Sequence, residues 1–173
     1  ATGAGLCIRR KEYMNAGGLD ARFFAHMEEI DLCWRLQARG KVVVCLPASV
    51  VYHVGGASLS KDNPKKMYLN FRNNLLMIYK NVSKADYIIT FLVRCLFDFL
   101  ALVHLLLKGE LKSARAVVEA YRDFLKMRGS YKAIRKENLS KTSVKQISTQ
   151  YRKSILLQFY LYGRKTFESV YSK

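Results

Sequence analysis

From Tyr87 to Leu107 the chain runs through twenty-one residues in which Arg94, Asp98 and His104 are the strongly polar interruptions. At the helical rise this stretch reaches roughly 30 Å, the thickness of a bilayer's hydrocarbon core. Arg94 and Asp98 would each cost about 2.5–3.5 kcal/mol at the bilayer centre. Four positions apart, they share a helical face and can pair with each other, leaving a narrow polar stripe on a broad apolar cylinder. Three placements suit such a helix: flat in the membrane interface, buried in a core or oligomer, or across the bilayer. Lys84 and Lys108 bracket it.

Two regimes meet near residue 82. The first reads as mixed: a strand at about 3–9, a short helix from Lys11 to Asn15, a Gly17-Gly18 turn and a helix at about 28–39 that stops at Gly40. Two β-branched runs follow, Val42 to Leu46 and Val50 to His53, split by Pro47. Strand, helix and strand in sequence predict an α/β sheet. The second regime lacks proline and reads as helices at about 85–107 and 109–128 with shorter ones beyond, after a helix at about 64–80. The division is therefore 1–81, an α/β part, and 82–173, a basic helical tail.

Charge narrows the partners. The 173 residues carry 30 Lys and Arg against 13 Asp and Glu, a net +17. Residues 81–173 hold 18 of the basic and 7 of the acidic residues, so the excess sits mostly in the tail. Such a balance favours an anionic membrane surface, nucleic acid or phosphorylated small molecules. Nucleic acid would call for basic and aromatic residues interleaved on one surface, or a reading motif, and neither occurs, so no nucleic-acid partner is expected. Cys7, Cys33, Cys45 and Cys95 have no C-x-x-C spacing and lie among apolar neighbours, which predicts small buried thiols. The chain begins without Met, in what reads as a strand, and is expected to be a fragment of a longer protein.

The passage from Gly17 to Ser58 carries the chemistry. Gly17-Gly18 permits a tight turn, Phe23-Phe24 can anchor the following loop, and Glu28-Glu29 opens a helix. Adjacent residues lie about 100° apart on a helix, so one of the two acids can face a pocket while the other is structural. Asp31 and Arg35 are placed to pair along that helix. A carboxylate at a helix N-terminus is a candidate general base and equally a common cap. His53, closing a strand before Gly55-Gly56, reads as an edge histidine or a ligand.

In order and spacing these pieces resemble the C-terminal half of a family 2 glycosyltransferase of GT-A fold, most of all the bacterial rhamnosyltransferase-like members. Those carry Gly-Gly-Phe-Asp-Glu, a Phe-Phe pair, Glu-Asp, an apolar residue, Asp-Leu and a following Arg, then a strand, a Pro and a His before a glycine-rich turn. The likeness extends through Asn70-Phe71-Arg72-Asn73-Asn74 and Gly163-Arg164-Lys165-Thr166-Phe167. Leu19 stands where the family prefers Phe, Ala21 where it often has Glu, and Glu29 where Asp is usual.

The resemblance implies an inverting transfer of sugar from a nucleoside diphosphate sugar to a saccharide acceptor, possibly lipid-linked, in bacterial cell-surface polysaccharide synthesis. It assigns Glu29 to the acid that deprotonates the acceptor hydroxyl and His53 to a divalent metal site, Mn²⁺ or Mg²⁺. Gly17, Gly18, Asp20 and Glu28 fall on the substrate-bordering loop, and Arg72 and Asn73 on a pair that contacts diphosphate or packs. The implied place is the cytoplasmic face of the bacterial inner membrane, held peripherally on an anionic surface. The family's Asp-x-Asp metal motif is absent from these residues, so the chain alone is expected not to transfer sugar. The alternative is a non-catalytic, basic, membrane-bound scaffold.

Overall fold

Asn63 accepts a hydrogen bond from the Lys65 amide at 2.9 Å, with Pro64 in the first helical position, and so opens the helix that organises the chain. The computed structural model describes residues 3–52, 63–151 and 153–171. Eight α-helices follow one another among them: α1 (Arg10–Asn15), α2 (Glu28–Ala38), α3 (Pro64–Asn81), α4 (Lys84–Leu107), α5 (Leu111–Met127), α6 (Lys132–Ser140), α7 (Ile155–Tyr160) and α8 (Phe167–Tyr171). Short 3₁₀ turns lie at Gly3–Gly5, Ala21–Phe23 and Arg128–Tyr131. Ser83 caps α4 by accepting from the Asp86 amide. At its other end Gly109 takes φ +73°, which lets Glu110 N–H reach Leu105 O and Gly109 N–H reach Leu106 O, a paired closure that turns the chain into α5.

The core is built on α3. Leu75, Leu76 and Met77 pack with Phe23, Phe124 and Tyr131, so the 1–81 and 82–173 segments share one apolar cluster. Ala114, Ala116, Val117 and Ala120 are the buried face of α5, and small side chains there allow close approach of its neighbours. A second cluster, Ala16, Leu32 and Leu36, joins α1 to α2. Helix α4 is different: of its residues only Asp98 and Leu105 are buried, so the described residues do not enclose it in a core.

The expected α/β fold, the C-terminal portion of a GT-A domain, is not what the chain adopts. Among the described residues there is no strand and no sheet. Residues 3–9 start as a 3₁₀ turn and continue irregularly, and 41–52 are irregular apart from the Ser49 N–H to Leu46 O turn. β-Branched residues favour an extended backbone, but a strand forms only where its N–H and C=O groups meet a ladder partner, and the packing here supplies none. Val42, Val44, Val50 and Val51 are accordingly exposed. Cys7 and Cys45, expected to be buried, are exposed for the same reason, while Cys33 on α2 is buried; all four cysteines are free.

Candidate functional site

The turn after α1 needs both of its glycines. Gly17 at φ +84° and Gly18 at φ +62° let their amides bond back to Met14 O and Tyr13 O, each at 2.9 Å. A Cβ on Gly18 would lie 3.1 Å from the Tyr13 ring, whose hydroxyl accepts from Leu19 N–H. Arg35 on α2 holds the turn from the other side, donating to Ala16 O and, at 2.7 Å, to Gly18 O. Asp31 orients that guanidinium at 3.0 Å, the pairing along α2 expected from the spacing.

Beneath the turn lies a buried charge network. Lys80 Nζ donates to Asp31 Oδ2 at 2.8 Å and to Asp20 Oδ2 at 2.9 Å. Asn81 adds a third donor to Asp31 at 2.7 Å, so this wholly buried carboxylate is fully satisfied. The Lys80 ammonium also sits 4.9 Å from the Phe23 ring centre and 5.7 Å from that of Tyr131. Burial pushes the Asp20 carboxyl upward, but hydrogen bonds and charge from Lys80 and Arg22 outweigh it and hold the group below the ordinary aspartate value. Asp20, placed by sequence on the substrate loop, is thus tied to Arg22 and Lys80.

The loop between the 3₁₀ turn and α2 is strained. Phe24, His26 and Met27 all have positive φ, at 65°, 69° and 72°. Phe24, with ψ −58° and an Ala25 N–H to Phe23 O bond of 2.8 Å, forms a γ-turn of the rare strained hand. Such conformations cost about 1–3 kcal/mol each and persist where the surroundings over-determine them. Asn73 does so here: its amide nitrogen donates to Phe23 O at 2.9 Å and to Ala25 O and His26 O at 2.8 Å. Its Oδ1 accepts from Arg72, which also reaches Arg22 O and Phe23 O. Arg72 and Asn73 therefore spend their side chains on loop carbonyls.

This clamp delivers Glu28 and Glu29 into the first turn of α2. Both are half-buried, and each has one carboxylate oxygen shielded from solvent without a hydrogen-bond partner among the described residues. His26 Nε2 and Asn74 Oδ1 are in the same condition. Phe23 is fully buried as an anchor, whereas Phe24 is 72% exposed. His53 lies outside the described residues. Among the described residues no group of three or more His, Cys, Asp or Glu side chains could hold a metal ion, and His53, on which the expected divalent metal site rests, is not one of them.

Lys80 and Asn81 did not stand out in the sequence, yet they close the network. Their signal is periodicity: Lys80 falls at helical spacing after Asn73 and Leu76 on the buried stripe of α3, where a lone cation calls for carboxylate partners.

No family model and no solved structure matches the chain. Over 77 residues, 44% of this chain, it is 29% identical to the N-acetylglucosaminyl-diphospho-decaprenol L-rhamnosyltransferase of Mycobacterium tuberculosis, in both strain CDC 1551 and strain H37Rv. The matched stretch covers 25% of those relatives' length. In that stretch the chain is similar to a glycosyltransferase.

Proposed function

We propose that the chain serves sugar transfer of the inverting, family 2 type, with Glu29 taking the proton from the acceptor hydroxyl. The observation that carries this reading is the Glu28–Glu29 pair, two half-buried carboxylates each with an unpartnered oxygen in the first helical turn after a strained loop that Asn73 clamps, of which the family resemblance selects Glu29. The partial likeness to a rhamnosyltransferase supports the reaction class.

In the proposed step the acceptor oxygen attacks the anomeric carbon of a nucleoside diphosphate sugar from the face opposite the leaving group. The new C–O bond forms as the bond to the diphosphate oxygen breaks, the electron pair leaves with the diphosphate, and the hydroxyl proton passes to a Glu29 oxygen. Arg72 and Asn73 act as positioning residues, since their donors are engaged with the loop that carries the acid. The relatives' name specifies a diphospho-decaprenol compound, and a lipid-linked saccharide is accordingly the proposed acceptor here.

General-base assistance is worth about 10²–10⁴-fold. In the full-length protein Glu29→Gln is expected to lower turnover by about that factor while donor affinity, read by calorimetry, stays within about twofold. Unchanged turnover would remove Glu29 from the role of base, and no acceptor-dependent turnover by the wild-type full-length protein would assign the chain to the scaffold alternative.

A further inference from the structure

The outward side of α4 is apolar along its whole length. Ile89, Leu92, Leu96, Phe99, Val103 and Leu106 are all exposed and fall within one arc of the helix. The two charges that interrupt the sequence face the other way. Arg94 and Asp98 pair at 2.8 Å, and Tyr121 of α5 donates to the same carboxylate at 2.8 Å, so the polar stripe is consumed against the protein. Soluble monomers rarely expose contiguous apolar patches above a few hundred Å².

What covers this face follows from charge and from α5. Leu111, Val118 and Leu125 form an exposed apolar row on α5, and Val118 shares a groove with Phe99 of α4. Arg115 and Arg122, each four residues beyond a member of that row, border it; they pair with Glu119 at 2.8 Å and Asp123 at 3.2 Å, and with Lys112 and Lys126 the helix keeps a positive excess. A second copy of the chain would bring two bodies of +17 together, whereas an anionic bilayer offers both an apolar layer and a complementary surface. A spanning α4 is disfavoured by its neighbour. The Tyr121–Asp98 bond fastens α5 to the middle of α4, so crossing would carry Arg115, Glu119, Arg122, Asp123 and Lys126 into hydrocarbon.

We propose that α4 lies flat in the headgroup–acyl boundary of an anionic bilayer, its Leu96 side toward the acyl chains and the α5 arginines at phosphate level. The placement depends on neither Glu29 nor sugar transfer. It is tested with the full-length protein by flotation on phosphatidylcholine vesicles with and without about one-third phosphatidylglycerol. Binding is expected with the anionic vesicles and to weaken at least about tenfold in their absence or in high salt. The double variant Leu92→Glu/Leu96→Glu is expected to lose at least about tenfold in binding with an unchanged melting transition, because both residues are exposed. Tryptophans placed singly at Ile89, Leu96 and Val103, read above the Trp34 background, are expected to be quenched equally by brominated lipids. A spanning helix would separate position 96 in depth from the other two by about 10 Å. Deeper quenching at 96 alone, failure to bind the anionic vesicles, or a lipid-independent dimer that buries the Leu96 face would each overturn the proposal.

Discussion

Lys80 Nζ lies 2.8 Å from Asp31 Oδ2, with the lysine side chain 2% exposed and the aspartate wholly buried. The same ammonium reaches Asp20, so one cation from the end of α3 ties α2 to the loop that follows α1. Attraction in a low-dielectric interior, together with hydrogen bonds to every charged group, offsets the cost of removing these ions from water. Removing only the cation leaves two carboxylates sharing less positive charge. Lys80→Met is expected to destabilise the fold by about 3–5 kcal/mol, read as a lower urea midpoint.

Asp20 makes part of that stability pH-dependent. Its folded-state pKa lies below the ordinary 3.8, so its contribution is fully present above that value and is lost as pH falls through the folded pKa. Urea unfolding of wild type and Asp20→Asn between neutral pH and pH values below 3.8 checks this. The gap between them is expected to be widest near neutrality and to shrink on acidification.

The clamped loop offers two opposed substitutions. Phe24 is mostly exposed on a strained γ-turn, so Phe24→Gly trades a strain of about 1–3 kcal/mol against an entropic cost of about 0.5–1 kcal/mol. A net gain of about 1 kcal/mol in unfolding free energy is expected. Asn73→Ala removes the donor shared by three loop carbonyls and is expected to cost about 2–4 kcal/mol.

Tyr121→Phe deletes the hydroxyl that donates to Asp98 while leaving the Arg94 pairing. A loss of about 1.5–3 kcal/mol in denaturant unfolding is expected, the range for a hydrogen bond to a charged group.

Local chemistry made the helices legible. The limits read at 28–39, 64–80, 85–107 and 109–128 fall within two residues of α2, α3, α4 and α5, because Asn63-Pro64, Ser83, Gly40 and Gly109 punctuate them. The Gly17-Gly18 turn and the Asp31–Arg35 pair were legible for the same reason, as contacts between near neighbours in sequence. The strands were misread because Val42 to Leu46 carries propensity without specifying a partner, and a ladder is a non-local event. The Asn73 clamp joins residues 47 to 50 positions apart, which no local pattern encodes.

The central claim is that the loop held by Asn73 presents Glu29 to an acceptor hydroxyl. It is tested most directly by acceptor-dependent release of nucleoside diphosphate from the full-length protein, comparing wild type with Glu29→Gln and Glu28→Gln. A drop of about 10²–10⁴-fold is expected for Glu29→Gln and a change within about threefold for Glu28→Gln. Equal rates for wild type and Glu29→Gln, or a loss confined to Glu28→Gln, would contradict it.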